Sequence, residues 1–175
     1  MERHITLPID TETARSLRVG DTVCLTGEMY VARDAAHRRL YELIEEGKPL
    51  PIELSGETVY YMGPTPAREG RVIGSAGPTT SSRMDKYTPA LIDRGLRAMI
   101  GKGRRSEEVK KAAIKNGAVY FAAVGGAGAL LSRSITECRV VCYEDLGAEA
   151  IRRISVKDFP CIVALDTEGG DLYNR

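Results

Sequence analysis

The chain has 175 residues, 43% hydrophobic and 28% charged, which suits one compact domain spanning 1–175 and reads as globular rather than disordered. With 25 basic and 24 acidic groups its formal charge is +1, so it lacks the marked basic excess of a duplex-binding surface, and no nucleic-acid partner is expected. No apolar run reaches the ~18 residues of a membrane span, and residues 1–15, with Arg3, His4, Asp10 and Glu12, have no apolar stretch of the secretory kind.

Weak alternation over residues 5–9 predicts an opening strand. LRVGDTVCLTGEMYVA, 17–32, predicts a turn at Gly20-Asp21, a strand through Leu25, a break at Gly27 and a second short strand. The period then becomes helical in RDAAHRRLYELIEEG, 33–47, with Ala36, Leu40 and Leu43 on one stripe and Gly47 as the stop. Pro51 to Tyr61 returns to strand, Gly63-Pro64-Thr65-Pro66 is turn material, and Val72-Ile73 makes a short strand.

Tyr87 to Met99 predicts a helix burying Leu91, Leu96 and Met99 and ended by Ile100-Gly101-Lys102-Gly103. Ser106 caps a second helix, EEVKKAAIKNG, with glutamates in its first turn and Lys115 and Gly117 at its end. AVYFAAV, 118–124, is an apolar strand, followed by a turn and short helix in GGAGALLSRSI. CRVVCYE is a strand, Glu149–Ile154 a short helical stretch, and CIVALD, 161–166, the last strand. The intermixing of strands and helices after residue 70 predicts an α/β domain with a mixed sheet.

Two glycine motifs fail as nucleotide loops. Around GKG, 101–103, the first glycine of a phosphate loop is displaced to Gly95, and Gly103 stands where a hydroxyl is needed for magnesium. In GGAGAL, Gly126 and Gly128 fit a dinucleotide turn, but Leu131 occupies the third glycine position and would obstruct helix packing. The four cysteines, at 24, 138, 142 and 161, are too sparse for a disulfide scaffold. Cys138 and Cys142 share one strand face but stand about 13 Å apart along an extended chain, too far to chelate one ion. They read as small buried hydrophobes in a reducing compartment, and a cytoplasmic setting is expected.

Charge and loop coincide in several places. Arg33 stands at a helix entrance, where it opposes the helix dipole unless it serves another group. It is either a solvated or ion-paired arginine or a ligand contact. His37, at i+4 on the same face, is either a packed histidine or an orienter of Arg33 or a ligand. In IGSAGPTTSSRMDKY, from Ile73, Gly77 permits an unusual turn, Pro78 restrains φ, and Thr79 and Thr80 offer hydroxyls and backbone donors. Arg83 supplies a bidentate fork, and Asp85 either caps a helix or holds Arg83. The loop is therefore either a capped turn or an anion pocket. Lys102, between two glycines, is either a solvated lysine at a helix end or a second positive contact. Cations on several loop ends suit a small di-anion better than a long polyanion.

The motifs VARDAAHRRL, YYMGPTP, GPTTSSRMDKY, IGKG, KNGAVYFAAVGGAGALL, CYEDLGAEAIRRISVKDFP and VALDTEGGDLY, in this order from about Leu17 to Tyr173, together resemble the β subunit or C-terminal domain of class I fumarases and the related tartrate dehydratases. The resemblance implies a swivelling β/β/α fold with a mixed sheet, similar to the C-terminal swivel domain of aconitase. It implies an iron–sulfur hydro-lyase, either a fumarate hydratase forming L-malate or an L(+)-tartrate dehydratase or related hydroxy-dicarboxylate enzyme. A non-enzymatic anion-binding module is the contrasting expectation.

By the same resemblance, Thr79 is the candidate base. Arg33 and Arg83 contact substrate carboxylates, and Lys102 binds the substrate's remaining oxygens. A threonine hydroxyl is too weak a base to act without a proton relay. Asp85, His37 or a partner residue are the candidates for it. The [4Fe–4S] cluster is expected on a partner α subunit, with none bound by this chain, in a heteromer such as α2β2.

Overall fold

The computed structural model describes residues 2–63, 73, 76–123 and 131–174. The strand predicted at Val72-Ile73, most of the turn after Gly63 and the glycines of GGAG lie wholly or largely outside the described residues; Ile73 itself is buried and outside any strand. Among the described residues, seven strands run β1 (Glu2–Thr6), β2 (Thr22–Val31), β3 (Thr58–Tyr60), β4 (Ala98–Gly101), β5 (Val119–Ala123), β6 (Ile135–Cys142) and β7 (Ile151–Leu165). Helices α1 (Thr11–Ser16), α2 (Asp34–Glu45), α3 (Thr88–Asp93) and α4 (Glu107–Asn116) join them, with 3₁₀ turns at Ser81–Met84 and Glu144–Glu149.

The sheet is mixed, as expected. Strands β1 to β5 pair in parallel in chain order, and β7 is antiparallel to β5, β6 and β2. Because β7 touches both β5 and β2, strands β2, β3, β4, β5 and β7 close into a ring. Alternate residues of these strands fill two cores. Val23, Leu25, Tyr60, Ile100, Phe121, Phe159 and Val163 face one, inside the ring. Val59, Tyr61, Met99, Tyr120 and Leu165 face the other, where α2, α3 and α4 supply Leu40, Leu91 and Val109. Burial on both faces explains why β3 and β4 lack a polar alternation.

The expected break at Gly27 is a bulge within one continuous strand. The pairing with β7 slips between Leu25 and Gly27, and Gly27 has φ +140° with a would-be Cβ 2.8 Å from Leu7 Cβ. The Ser106 cap forms, its hydroxyl accepting the Val109 N–H, and Gly117 ends α4 in the left-handed region at φ 71°.

Three expectations are corrected. The helix predicted to Met99 stops at Asp93, because Gly95 takes φ 102° and releases the chain into β4, so Ile100 and Gly101 belong to a strand. The strand predicted from Pro51 begins only at Thr58. The stretch expected to be helical before Ile154 opens the 15-residue β7, which contains Pro160. Among the described residues, no helix is long and apolar enough to cross a membrane.

Candidate functional site

The parallel strands β2, β3 and β4 deliver their carboxyl ends to one edge, where alternating β and α units leave a crevice between loops. Arg33 follows β2 and occupies the N-cap of α2, where its side chain makes no capping bond. It turns towards the end of β3, since a Cβ at Gly63 would stand 3.1 Å from Arg33 Nη1. Arg33 Nε lies 3.8 Å from Asp34 Oδ1, beyond hydrogen-bond range. Both atoms are buried without a hydrogen-bond partner among the described residues. The other oxygen of Asp34 accepts from Arg83 Nε at 2.9 Å. One carboxylate therefore sits between two arginines from distant parts of the chain.

The loop from Gly77 to Ser81 is bonded to the ends of β3 and β4. Gly63 N–H donates to the Gly77 carbonyl at 3.1 Å, and Thr79 N–H donates to the Tyr61 carbonyl at 2.8 Å. Tyr61 N–H donates to the Ile100 carbonyl, and Ser81 N–H to that of Lys102, each at 2.9 Å. Bridges Met62–Pro78 and Thr80–Lys102 mark the two sides of this seam. Thr79 is half-buried, while Arg83 and Lys102 are exposed. The backbone thus brings the segments bearing Arg33, Thr79, Arg83 and Lys102 to one edge. An open cleft of about 670 Å³ flanks the same turn, lined by Ser82, Arg83, Lys86, Ser106 and Glu108 among others.

Asp85 does not hold Arg83. Its Oδ1 accepts from Arg105 Nε at 2.7 Å and its Oδ2 from the Ser106 N–H at 2.8 Å. Arg105 has a side chain only 1% exposed. Its guanidinium lies between the rings of Tyr61 and Tyr120, 5.1 and 4.8 Å from their centroids, and Nη2 donates to the Tyr61 and Thr88 hydroxyls. Tyr120 donates to the Gly103 carbonyl at 2.8 Å, and its hydroxyl lies 2.7 Å from Ser81 Oγ. Burial pushes the Tyr120 phenol well up, against the opposing pull of Ser81 and Arg105, so it stays protonated.

His37 is fully buried, with Nδ1 2.8 Å from the Arg33 carbonyl and its ring edge-on to Tyr61 at 5.3 Å. Desolvation lowers its pKa to about 4, and Arg105 pushes the same way against the Arg33 carbonyl and Asp34. It is neutral at pH 7.

Sequence reasoning missed Asp34, which looks like an ordinary first-turn acid, and Arg105. In GKGRRS nothing local separates Arg104, which is exposed, from Arg105, whose side chain is buried. Among the described residues, no three His, Cys, Asp or Glu side chains gather as a metal site. Cys24 and Cys161 are buried, and burial pushes both thiols up, which disfavours the thiolate a metal needs.

The family profile described as fumarase C-terminus matches residues 2–175. Over 159 residues, 90% of this chain, it is 41% identical to the anaerobic class I fumarate hydratase of Escherichia coli, of which that stretch is 29%. It is 37% identical to a putative L(+)-tartrate dehydratase subunit beta from Methanocaldococcus jannaschii over 92% of this chain and 86% of that protein. With the L(+)-tartrate dehydratase subunit beta of Escherichia coli the identity is 33%, over 98% and 87%. The chain spans less than a third of the length of the fumarate hydratases it matches.

Proposed function

The chain belongs to the fumarase C-terminus family, and from that membership we propose that it is the substrate-clamping and proton-transferring part of a dicarboxylate hydro-lyase, hydrating fumarate to L-malate. The observation that carries this reading is the seam joining Thr79–Ser81 to Tyr61 and Lys102, beside the Arg33–Asp34–Arg83 cluster. A dicarboxylate needs fixed positive donors at both ends. Two guanidinium forks and one ammonium meet that need, the forks setting orientation and the ammonium acting as a point charge. Arg33 Nε faces Asp34 Oδ1 at 3.8 Å and makes no hydrogen bond among the described residues, so the protein leaves the Arg33 fork unsaturated.

In this proposal Thr79 exchanges a proton with the substrate carbon, and its hydroxyl passes that proton to a relay. Both Asp85 oxygens are engaged, and His37 is fully buried with its pKa lowered to about 4, which makes its bare Nε2 a poor proton acceptor at pH 7, so the relay is assigned to a partner residue. The cysteines described above do not fit the [4Fe–4S] cluster that accompanies the resemblance. The cluster is assigned to an α polypeptide over which this domain swivels, in an assembly such as α2β2, and the chemistry proposed here runs through this chain's own side chains. Cytoplasmic placement and a role in the tricarboxylic acid cycle belong to the same reading.

A second reading, an L(+)-tartrate dehydratase β subunit, is favoured by length, since this chain spans most of two proteins so named. Both readings meet one experiment: anaerobic co-expression with a three-cysteine companion, cluster reconstitution, and assays on fumarate, L-malate and the tartrate isomers. Turnover of fumarate is expected, with tartrate turnover alone selecting the second reading. Thr79→Ala should lower kcat by on the order of 10²–10⁴-fold, the usual contribution of a general base, while KM stays within about threefold. Full activity in that variant removes Thr79 from proton transfer.

A further inference from the structure

Resting on the hydro-lyase reading, we infer that buried Arg105 is the positioning residue of the site, holding Thr79, Arg83 and Lys102 in one register through Asp85, Tyr61 and Tyr120. Burying a guanidinium is costly even when it is paired, and an apolar residue of similar volume often serves stability as well or better. Arg105 Nη1 is buried without a hydrogen-bond partner among the described residues, which adds to that cost. A guanidinium in so closed a place calls for a role that packing alone does not supply.

Its contacts reach the segments that carry Thr79, Arg83 and Lys102. Asp85 caps the C-terminal end of the 3₁₀ turn that carries Arg83, and Arg105 Nε binds its carboxylate. The Thr88 hydroxyl accepts from Arg105 and donates to the Met84 carbonyl, so the same guanidinium holds that end of the turn twice. Tyr61 lies under the guanidinium and bonds it through its hydroxyl, while the Tyr61 carbonyl accepts the Thr79 N–H. Tyr120 covers its other face and ties Ser81 to Gly103, and Ser81 N–H donates to the Lys102 carbonyl. None of these links touches Thr79 Oγ1 or the Lys102 ammonium. They act on the backbone that aims them. Displacing a reacting group by about 1 Å can cost on the order of 100-fold in rate.

The geometry makes Arg105→Lys a severe change despite the kept charge, because an ammonium cannot fill the two-ring stack and bind Asp85, Tyr61 and Thr88 together. Tyr120→Phe is the milder probe, keeping the ring and losing only the links to Ser81 and Gly103. Both would be measured in the reconstituted two-polypeptide enzyme beside Arg83→Ala and a core control, Val163→Ala, on the far side of the sheet. Arg105→Lys should lower kcat/KM by roughly 30- to 100-fold, with kcat falling as well as KM rising, and Tyr120→Phe by roughly tenfold. Amide hydrogen exchange of 79–85 and 102–106 should quicken in both variants with β2 and β7 unchanged. Val163→Ala should lose stability without changing kcat/KM. If Arg105→Lys does not fold, Tyr120→Phe carries the test alone. Wild-type kinetics and exchange in the folded variants, with Arg83→Ala raising KM tenfold or more, would overturn the positioning role and leave the hydro-lyase reading standing. Unchanged kinetics in Arg83→Ala as well would overturn the reading beneath it.

Discussion

His37 approaches a carbonyl through Nδ1, and because a carbonyl only accepts, Nδ1 carries the proton and Nε2 is the bare nitrogen. Protonating Nε2 would place a charge in a dry pocket that Arg105 already makes positive, with Asp34 giving only partial relief. The folded-state pKa of about 4 lies below the ordinary 6.5, so the unfolded chain binds the extra proton first. The resulting stability is complete above pH 6.5 and is lost as pH falls from there towards 4, by roughly 3 kcal/mol over the whole interval. Urea unfolding of wild type and His37→Gln at pH 7.5 and 4.5 checks this. The wild type should lose about 2 kcal/mol more than the variant, and equal losses would refute the burial account of the shift. At this scale, periodicity placed His37 on a helix face beside Arg33 and marked both as charged or polar groups at a loop. It could not show that Asp34 sits between Arg33 and Arg83, because the partner lies 49 positions away and local pattern carries no information over that span.

The helices and strands differ in how far local chemistry defines them. The α4 helix was legible from end to end because its cap, first-turn acids and terminal glycine are consecutive local signals. The α3–β4 region was not. AMIG is short and wholly buried, so it has neither the alternation of a half-exposed strand nor enough length to reject a helix. The decisive constraint is tertiary: β4 lies between β3 and β5, and Gly101 at its end lets the Ser81 loop lie directly on the strand. A Cβ on Gly101 would collide with Ser81 Oγ and stand 2.8 Å from Tyr61 Cδ2. Gly101→Ala should therefore cost about 1–3 kcal/mol through overpacking. Chemical denaturation reads this directly, and an unchanged midpoint would mean that the loop does not rest on β4.

For the molecule as a whole, closure of the ring depends on β7, whose first half pairs with β6 and β2 and whose second half pairs with β2 and β5. Its length was hidden in the sequence. Pro160 argues against a strand interior, and the polar Lys157-Asp158 pair reads as a connection. The structure accommodates both at an irregularity: Asp158 takes φ 51° and its N–H donates to Thr26 Oγ1, opposite the slip in β2. Phe159 follows at once, fully buried and edge-on to Tyr60 of β3 at a centroid distance of 5.2 Å. That contact crosses the ring interior from the strand that closes it to the strand that leads to Tyr61 and the Thr79 loop. Phe159→Ala removes an aromatic ring from this core and should cost roughly 3–5 kcal/mol, a large share of the ~5–15 kcal/mol typical of a whole domain. In a chain of this length each kcal/mol lowers the melting temperature by roughly 2–4 °C, so calorimetry should record a fall of about 10 °C. A loss below about 1 kcal/mol would show that the ring does not depend on the Phe159–Tyr60 contact. β7 would then be held by its backbone ladder, and the site edge would owe its shape to β2, β3 and β4 alone.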